Sequence, residues 1–230
     1  MKVTALIVCA GRGTRMGPGA PKQYRSLGGV AVLRHTALAF RLHPAITGIA
    51  AVIHRDDEAL YEAATEGLDL APPIVGGATR DTSVRLGLEA LAADPPDLVL
   101  IHDGVRPFVA PETITSVIAA LETSPAAIAA MPVFDTIKSC AGGLITGTID
   151  RASLWRAQTP QGFSFPAILA AHRLVASRPT LPDVPPVTDD ASVAEAAGLP
   201  VRVVQGSEDA FKITTEADLR RAERHLRGDE

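Results

Sequence analysis

The fold is read from Val3-Thr4-Ala5-Leu6-Ile7-Val8-Cys9-Ala10-Gly11-Arg12-Gly13-Thr14-Arg15-Met16-Gly17. Its near-continuous apolar start, ended by glycines, is the pattern of a strand buried on both faces, and such strands belong to parallel sheets. A strand running into a Gly-rich turn is where open α/β sheets bind nucleotides, because glycine lets backbone N–H groups approach phosphate oxygens. Two familiar nucleotide loops are excluded. Met16 stands where the dinucleotide fingerprint has its third glycine, and no Asp or Glu follows about 20 residues on. No Gly-Lys-Ser/Thr closes the turn, so it is not a Walker A loop. What the turn adds is cations: Arg12, Arg15 and, after Pro21, Lys22. On this segment alone, a plain strand-to-helix turn remains the alternative.

Outward from this stretch, β-rich runs alternate with amphipathic ones. Further strands are expected at 49–54, 98–102, 127–133 and 201–204, and helices at 32–42, 57–66, 82–92, 111–122, 166–177, 190–197 and 215–226. Pro111 suits a first helical position, and Thr215 with Asp218 has capping-box spacing. This alternation predicts an open α/β sheet with helices on both faces. Two stretches break the rhythm. Residues 134–158 read as a hairpin turning at Gly142-Gly143, a β-arm whose apolar side a second subunit would cover. Residues 178–187 carry Pro179, Pro182, Pro185 and Pro186 and read as a stiff loop. The expected organisation is one domain over 1–230 with the arm as a subdomain.

Charge sharpens the functional reading. The net charge is -4, yet residues 1–55 hold eight Lys and Arg and no Asp or Glu. A cationic first quarter on an acidic chain predicts a local anion site. The sequence pI of about 5.9 and the 4% aromatic content argue against a nucleic-acid track. No apolar run approaches the ~18 residues that span a membrane, and Gly11 to Gly13 interrupt the first one too early for a signal peptide, so a cytoplasmic location is expected. Cys9 and Cys140 form no disulfide framework, and the six histidines have no metal spacing. Cys9 reads as a small core residue and Trp155 as packing at the arm's base.

Four further motifs carry chemistry. Gly76-Gly77-Ala78-Thr79-Arg80-Asp81-Thr82-Ser83 leads into a helix; its free backbone groups could read the edge of a base, or its hydroxyls could merely cap the helix. His102-Asp103-Gly104-Val105-Arg106-Pro107 ends an apolar strand; Asp103 could hold a Mg²⁺ ion or a ribose hydroxyl, or pair with Arg106 to shape the turn. Lys212, one of four lysines, lies between Phe211 and a helix cap and could neutralise a transferring phosphoryl group, or be an ordinary surface lysine. Asp135-Thr136-Ile137-Lys138, Asp150-Arg151, Thr159-Pro160-Gln161 and Thr188-Asp189-Asp190 supply hydroxyls and arginine suited to a polyol phosphate, although Thr188-Asp189 is also an ordinary helix start.

Taken in order, these motifs resemble the 2-C-methyl-D-erythritol 4-phosphate cytidylyltransferases of the non-mevalonate isoprenoid pathway. The resemblance runs from Ala10-Gly11-x-Gly13-x-Arg15-Met16 and Pro21-Lys22-Gln23-Tyr24 to Lys212-Ile213-Thr214. It implies a Rossmann-like nucleotidyltransferase: an open, mixed, mostly parallel sheet with a projecting β-arm. It implies that Ala10, Gly11, Gly13, Arg15 and Lys22 hold the CTP triphosphate, and that Gly77, Ser83 and Gly104 contact cytosine and ribose. Asp103 would lie beside the ribose and the metal, which is Mg²⁺ or another divalent cation. Thr136, Arg151, Thr188 and Arg106 would bind methylerythritol phosphate, the arm residues reaching the partner's site in a homodimer. Arg15, Lys22 and Lys212 would be catalytic. The chain departs from the family pattern at Val8, Cys9, Gly104-Val105, Asp190 and Ala210, the last removing a side-chain amide near Lys212. The rivals are a ribitol 5-phosphate cytidylyltransferase, a non-catalytic nucleotide-binding module and, disfavoured by the missing glycine and acid, a nicotinamide oxidoreductase.

Overall fold

The computed structural model describes residues 1–12, 19–68, 70–178 and 187–229. Arg15, Gly13 and most of the proline-rich loop lie outside the described residues.

Strand β1 (Val3–Cys9) explains its own apolar run. Val3, Ala5, Ile7 and Cys9 face one buried cluster and Leu6 faces another, so the period-2 alternation of a strand meets hydrophobic packing on both sides. A two-stranded ribbon, β2 (Ser26–Leu27) and β3 (Val30–Ala31), leads into α1 (Val32–Arg41). There follow β4 (Gly48–Ile53), α2 (Glu58–Thr65), β5 (Ile74–Val75), α3 (Arg80–Leu91), β6 (Leu98–Asp103), α4 (Pro111–Ala120) and β7 (Ala126–Pro132). Beyond the hairpin β8 (Ile137–Ala141) and β9 (Leu144–Ile149) come β10 (Trp155–Ser164), α5 (Phe165–Ser177), α6 (Asp190–Ala196), β11 (Val201–Gln205) and α7 (Glu216–Arg227).

The main sheet has seven strands in the order β11-β7-β10-β6-β1-β4-β5. All neighbours pair in parallel except β10, which runs antiparallel between β6 and β7. The fold is thus the mixed, mostly parallel sheet expected. One face packs α1, α2 and α4 residues such as Phe40, Tyr61 and Ile114; the other packs α3, α5 and α6 residues such as Leu88, Ile168 and Val193. A third cluster of Leu27, Val32, Val105, Ile213 and Ala222 fastens α7 beneath the C-terminal ends of the strands.

Most expected elements are present within a residue or two. Pro111 opens α4, and Thr215 with Asp218 forms the capping box of α7. Helix α3 begins at Arg80, two residues earlier than expected, because Thr79 caps it by accepting from Thr82 N–H. The strand β10 was not expected. Pro160 sits within it, at a register shift between Ala157 and Gln161, the kind of irregularity that accommodates a proline inside a sheet. The hairpin is therefore shorter than the expected arm: pairing stops at Ile149, and Trp155 onward belongs to the main sheet. Its turn is as expected, with Gly142 and Gly143 at φ 56° and 82°, where L residues are strained. Trp155 does not pack away: it is 44% exposed, and Phe134, Leu144, Ile145 and Ile149 of the arm are exposed as well.

Candidate active site

Parallel strands leave the C-terminal ends of β1, β4, β5 and β6 on one edge, so the turns that follow them converge there. Between those turns lies a pocket of about 230 Å³ lined by Ala10 and Gly11 after β1, Lys22, Gly77 to Arg80, Ser83, Asp103 and Lys212. That is below the ~300 Å³ at which sites for drug-sized ligands begin.

Each wall has a local cause. After β1, the buried Gln23 in a single 3-10 turn (Lys22–Tyr24) donates to the carbonyls of Cys9, at 2.7 Å, and Gly11, at 3.2 Å, which fixes the loop's departure and sets Lys22 beside it. After β5, the turn closes on the helix start. Ser83 Oγ lies 2.8 Å from the Thr79 carbonyl and accepts from Gly77 N–H at 3.1 Å. Close approach requires both glycines: a Cβ at Gly76 would lie 2.8 Å from Ala10 Cβ, and one at Gly77 would lie 2.3 Å from Thr82 Cγ2. After β6, a Cβ on Gly104 would meet Cys9 Cβ at 2.9 Å, so Gly104 lets the ends of β1 and β6 sit together.

Asp103 is the electrostatic centre. Lys212 Nζ is 3.0 Å from it, Arg106 Nε 3.3 Å and Arg80 Nε 3.5 Å. Burial pushes its carboxyl up, but Lys212, Arg80 and Arg106 together hold it well below the usual carboxylate range. The turn-shaping pair with Arg106, offered as the alternative, therefore exists, and Asp103 also faces the pocket. Lys212 reaches it across more than a hundred residues because its segment is pinned to the turn after β6. Ile213 N–H donates to the Val105 carbonyl at 2.9 Å, and Arg106 Nη1 donates to the Ala210 carbonyl at 2.7 Å. These are backbone acceptors, so this pinning does not need a side-chain amide at position 210. Asp103 is itself seated by Thr159, whose hydroxyl accepts from Asp103 N–H at 3.1 Å.

The pocket thus gathers Ala10, Gly11, Lys22, Gly77, Ser83, Asp103 and Lys212, with Gly104 and Arg106 directly behind. It does not gather the arm residues. Thr136 and Arg151 line a separate recess on the hairpin with Thr148, Ile149 and Asp150. Thr188 is exposed just ahead of α6, whose first N–H groups, on Asp190 and Ala191, donate to Gln161 Oε1.

The acid-free first quarter does not make one cationic cluster. Lys2 pairs with Asp94 at the opposite end of β1, and Arg25 pairs with Glu216. Arg12 turns from the pocket: Nη1 lies 2.8 Å from Asp57, and Nη2 lies 2.7 Å from both Asp56 and His54. Among described residues of that quarter, Lys22 is the cation lining the pocket. The sequence reading missed what surrounds it. Arg80 was visible as the Gly-Gly-x-x-Arg spacing, and Thr159 and Gln161 as a triplet, but only the fold reveals that they brace Asp103 and α6.

A family model described as 2-C-methyl-D-erythritol 4-phosphate cytidylyltransferase matches residues 3–228. A Rhodospirillum rubrum protein named bifunctional enzyme IspD/IspF is 56% identical over 229 residues, covering 99% of this chain and 58% of that protein. A Cereibacter sphaeroides protein named 2-C-methyl-D-erythritol 4-phosphate cytidylyltransferase is 49% identical over 227 residues, covering 98% of this chain and 97% of that one. The chain thus spans little more than half the bifunctional relative's length. A crystal structure of 4-diphosphocytidyl-2C-methyl-D-erythritol synthase from Anaerococcus prevotii superposes with a TM-score of 0.84 at 33% identity, covering 98% of this chain and 96% of that one. The corresponding cytidylyltransferase from Thermus thermophilus gives 0.81 at 32%, covering 99% and 100%.

Proposed function

This chain belongs to the 2-C-methyl-D-erythritol 4-phosphate cytidylyltransferase family, and from that premise we propose that it transfers CMP from CTP to 2-C-methyl-D-erythritol 4-phosphate, giving 4-diphosphocytidyl-2-C-methyl-D-erythritol and pyrophosphate. The observation that carries the reading is the convergence of Lys22, Lys212, Arg80 and Asp103 on one pocket beside a glycine turn. An oxygen of the acceptor phosphate attacks the α-phosphorus of CTP in line; the new P–O bond forms as the bond to pyrophosphate breaks. No side-chain nucleophile is needed, because the acceptor is already anionic. The chain's task is to bring two anions together, and Lys22 and Lys212 offset that repulsion. Asp103, tethering Lys212 from below, keeps its ammonium in one place. Arg15 has the same assigned role and lies outside the described residues.

The residues fit a divalent cation that arrives on the nucleotide. Asp103 is the carboxylate among the described pocket residues, and no cluster of three or more His, Cys, Asp or Glu that could hold a metal occurs among the described residues. Mg²⁺ is commonly held this way, by one or two carboxylates and the substrate's phosphates. Once bound, it would neutralise triphosphate charge.

The chain acts as one cytidylyltransferase domain with a β-arm, and as a homodimer. Its hairpin forms a separate two-stranded sheet with Leu144, Ile145 and Ile149 exposed, and Thr136 and Arg151 lie on it away from the nucleotide pocket, as a reach into a partner's site would require. No helix among the described residues is long and apolar enough to cross a membrane, which accords with a cytoplasmic biosynthetic role. The test is Mg²⁺-dependent pyrophosphate release from CTP plus methylerythritol phosphate, with ribitol 5-phosphate and other nucleoside triphosphates alongside. Preference for ribitol phosphate would reassign the acceptor, and CTP binding without release would leave a binding module.

A further inference from the structure

Asp190, the first residue of α6, is 0% exposed, and neither carboxylate oxygen has an aligned hydrogen bond. A buried carboxylate stays charged only where opposite charge compensates its lost hydration. Here the compensation comes from two other helices. Arg80 Nη2 of α3 stands 2.8 Å from Oδ2, and His172 Nε2 of α5, itself 3% exposed, stands 3.3 Å from Oδ1. Burial raises the carboxyl's pKa, and Arg80 and His172 more than reverse this.

The same guanidinium faces two acids. Its Nε lies 3.5 Å from Asp103, and Arg80 forms part of the nucleotide pocket's wall. Without the charge on Asp190, Asp103 would be the remaining carboxylate in contact with it, Asp189 acting from farther off. The guanidinium would leave its place in the wall and crowd a carboxylate that Lys212 and Arg106 already share. We propose that Asp190 is a positioning residue for nucleotide binding: it holds Arg80 in the pocket wall, out of competition with Lys212 for Asp103. The proposal rests on the CMP-transfer reading. It predicts a defect confined to the nucleotide side, because the acceptor-side start of α6 is held independently. Gln161 accepts from Asp190 and Ala191 N–H, and the Asp189–Ser192 capping box closes the first turn.

The experiment compares Asp190→Asn, Asp190→Glu, Arg80→Gln and the double variant Asp190→Asn/Arg80→Gln with wild type, measuring thermal melting, KM for CTP and for methylerythritol phosphate, and CTP affinity by calorimetry. Asp190→Asn and Arg80→Gln should each raise KM for CTP on the order of 10-fold or more, leaving KM for the acceptor within about 2-fold. The double variant should be no worse than Arg80→Gln, since Asp190 acts through Arg80, and Asp190→Glu should recover most of the loss. Should Asp190→Asn fail to fold, Arg80→Gln, whose side chain is partly exposed, carries the test alone. An Asp190→Asn enzyme that melts earlier but keeps its KM for CTP, single defects that multiply in the double variant, or unchanged CTP affinity in folded Arg80→Gln each overturns the proposal. If wild type binds CTP but releases no pyrophosphate, the functional reading fails by itself, and the calorimetric comparison still decides the role of Asp190.

Discussion

Lowering the pH should destabilise this protein through His102 before its carboxylates titrate. His102 is fully buried beside Asp103, with its ring 4.7 Å from that of Phe40 in an edge contact. The Arg106 carbonyl can only accept, so His102 Nε2, 3.1 Å from it, carries the proton of the neutral ring. Nδ1 is then an acceptor, and the Thr159 hydroxyl, which accepts from Asp103 N–H, donates its own proton to it at 3.0 Å. A second ring proton would point at an oxygen already donating to it and would bury a charge; burial accordingly depresses the pKa from 6.5 to about 4. The unfolded chain then binds more protons than the native one between these two values. The stabilisation is present above the unfolded value and is lost as pH falls toward the folded one. Moving from about pH 7 to about pH 5 should remove about 2 kcal/mol through this single site. Urea denaturation at both pH values, on wild type and His102→Gln, isolates it, since the other histidines and the acids contribute to both proteins. Wild type should lose about 2 kcal/mol more than the variant. Equal losses would refute the reasoning.

Lys212→Met should lower turnover on the order of 10²-fold while CTP still binds, read by single-turnover pyrophosphate release; near-wild-type turnover would remove Lys212 from the transition state. Mixing inactive Lys212→Met and Arg151→Ala proteins and allowing subunits to exchange should restore about a quarter of wild-type activity, because half the dimers then hold one intact site. No recovery after verified exchange would refute an arm that completes the partner's site. Gly104→Ala should cost about 1–3 kcal/mol in denaturant unfolding, because the new Cβ would lie 2.9 Å from Cys9 Cβ and 3.3 Å from the Val8 carbonyl oxygen.

The sequence by itself determined the order of the helices and of five of the main sheet's seven strands, because apolar periodicity, Pro111, the Thr215–Asp218 box and the Gly142-Gly143 turn act over a few residues. It also determined where chemistry would gather, since motifs that end parallel strands must share an edge. The tertiary structure alone decided the long-range electrostatic pairing. Arg12 stands in a stretch free of acids, yet Asp56 and Asp57 take it from the next strand's end, while Lys22 lines the pocket. Asp103 finds Lys212, and Arg80 finds Asp190, each about 110 residues along the chain. It also decided β10, where register and neighbours overrode the proline that reads against a strand. Local rules carry backbone preference and amphipathic pattern over one or two turns. Coulomb attraction and burial depend on distance through space, which the order of residues leaves open until the sheet is assembled.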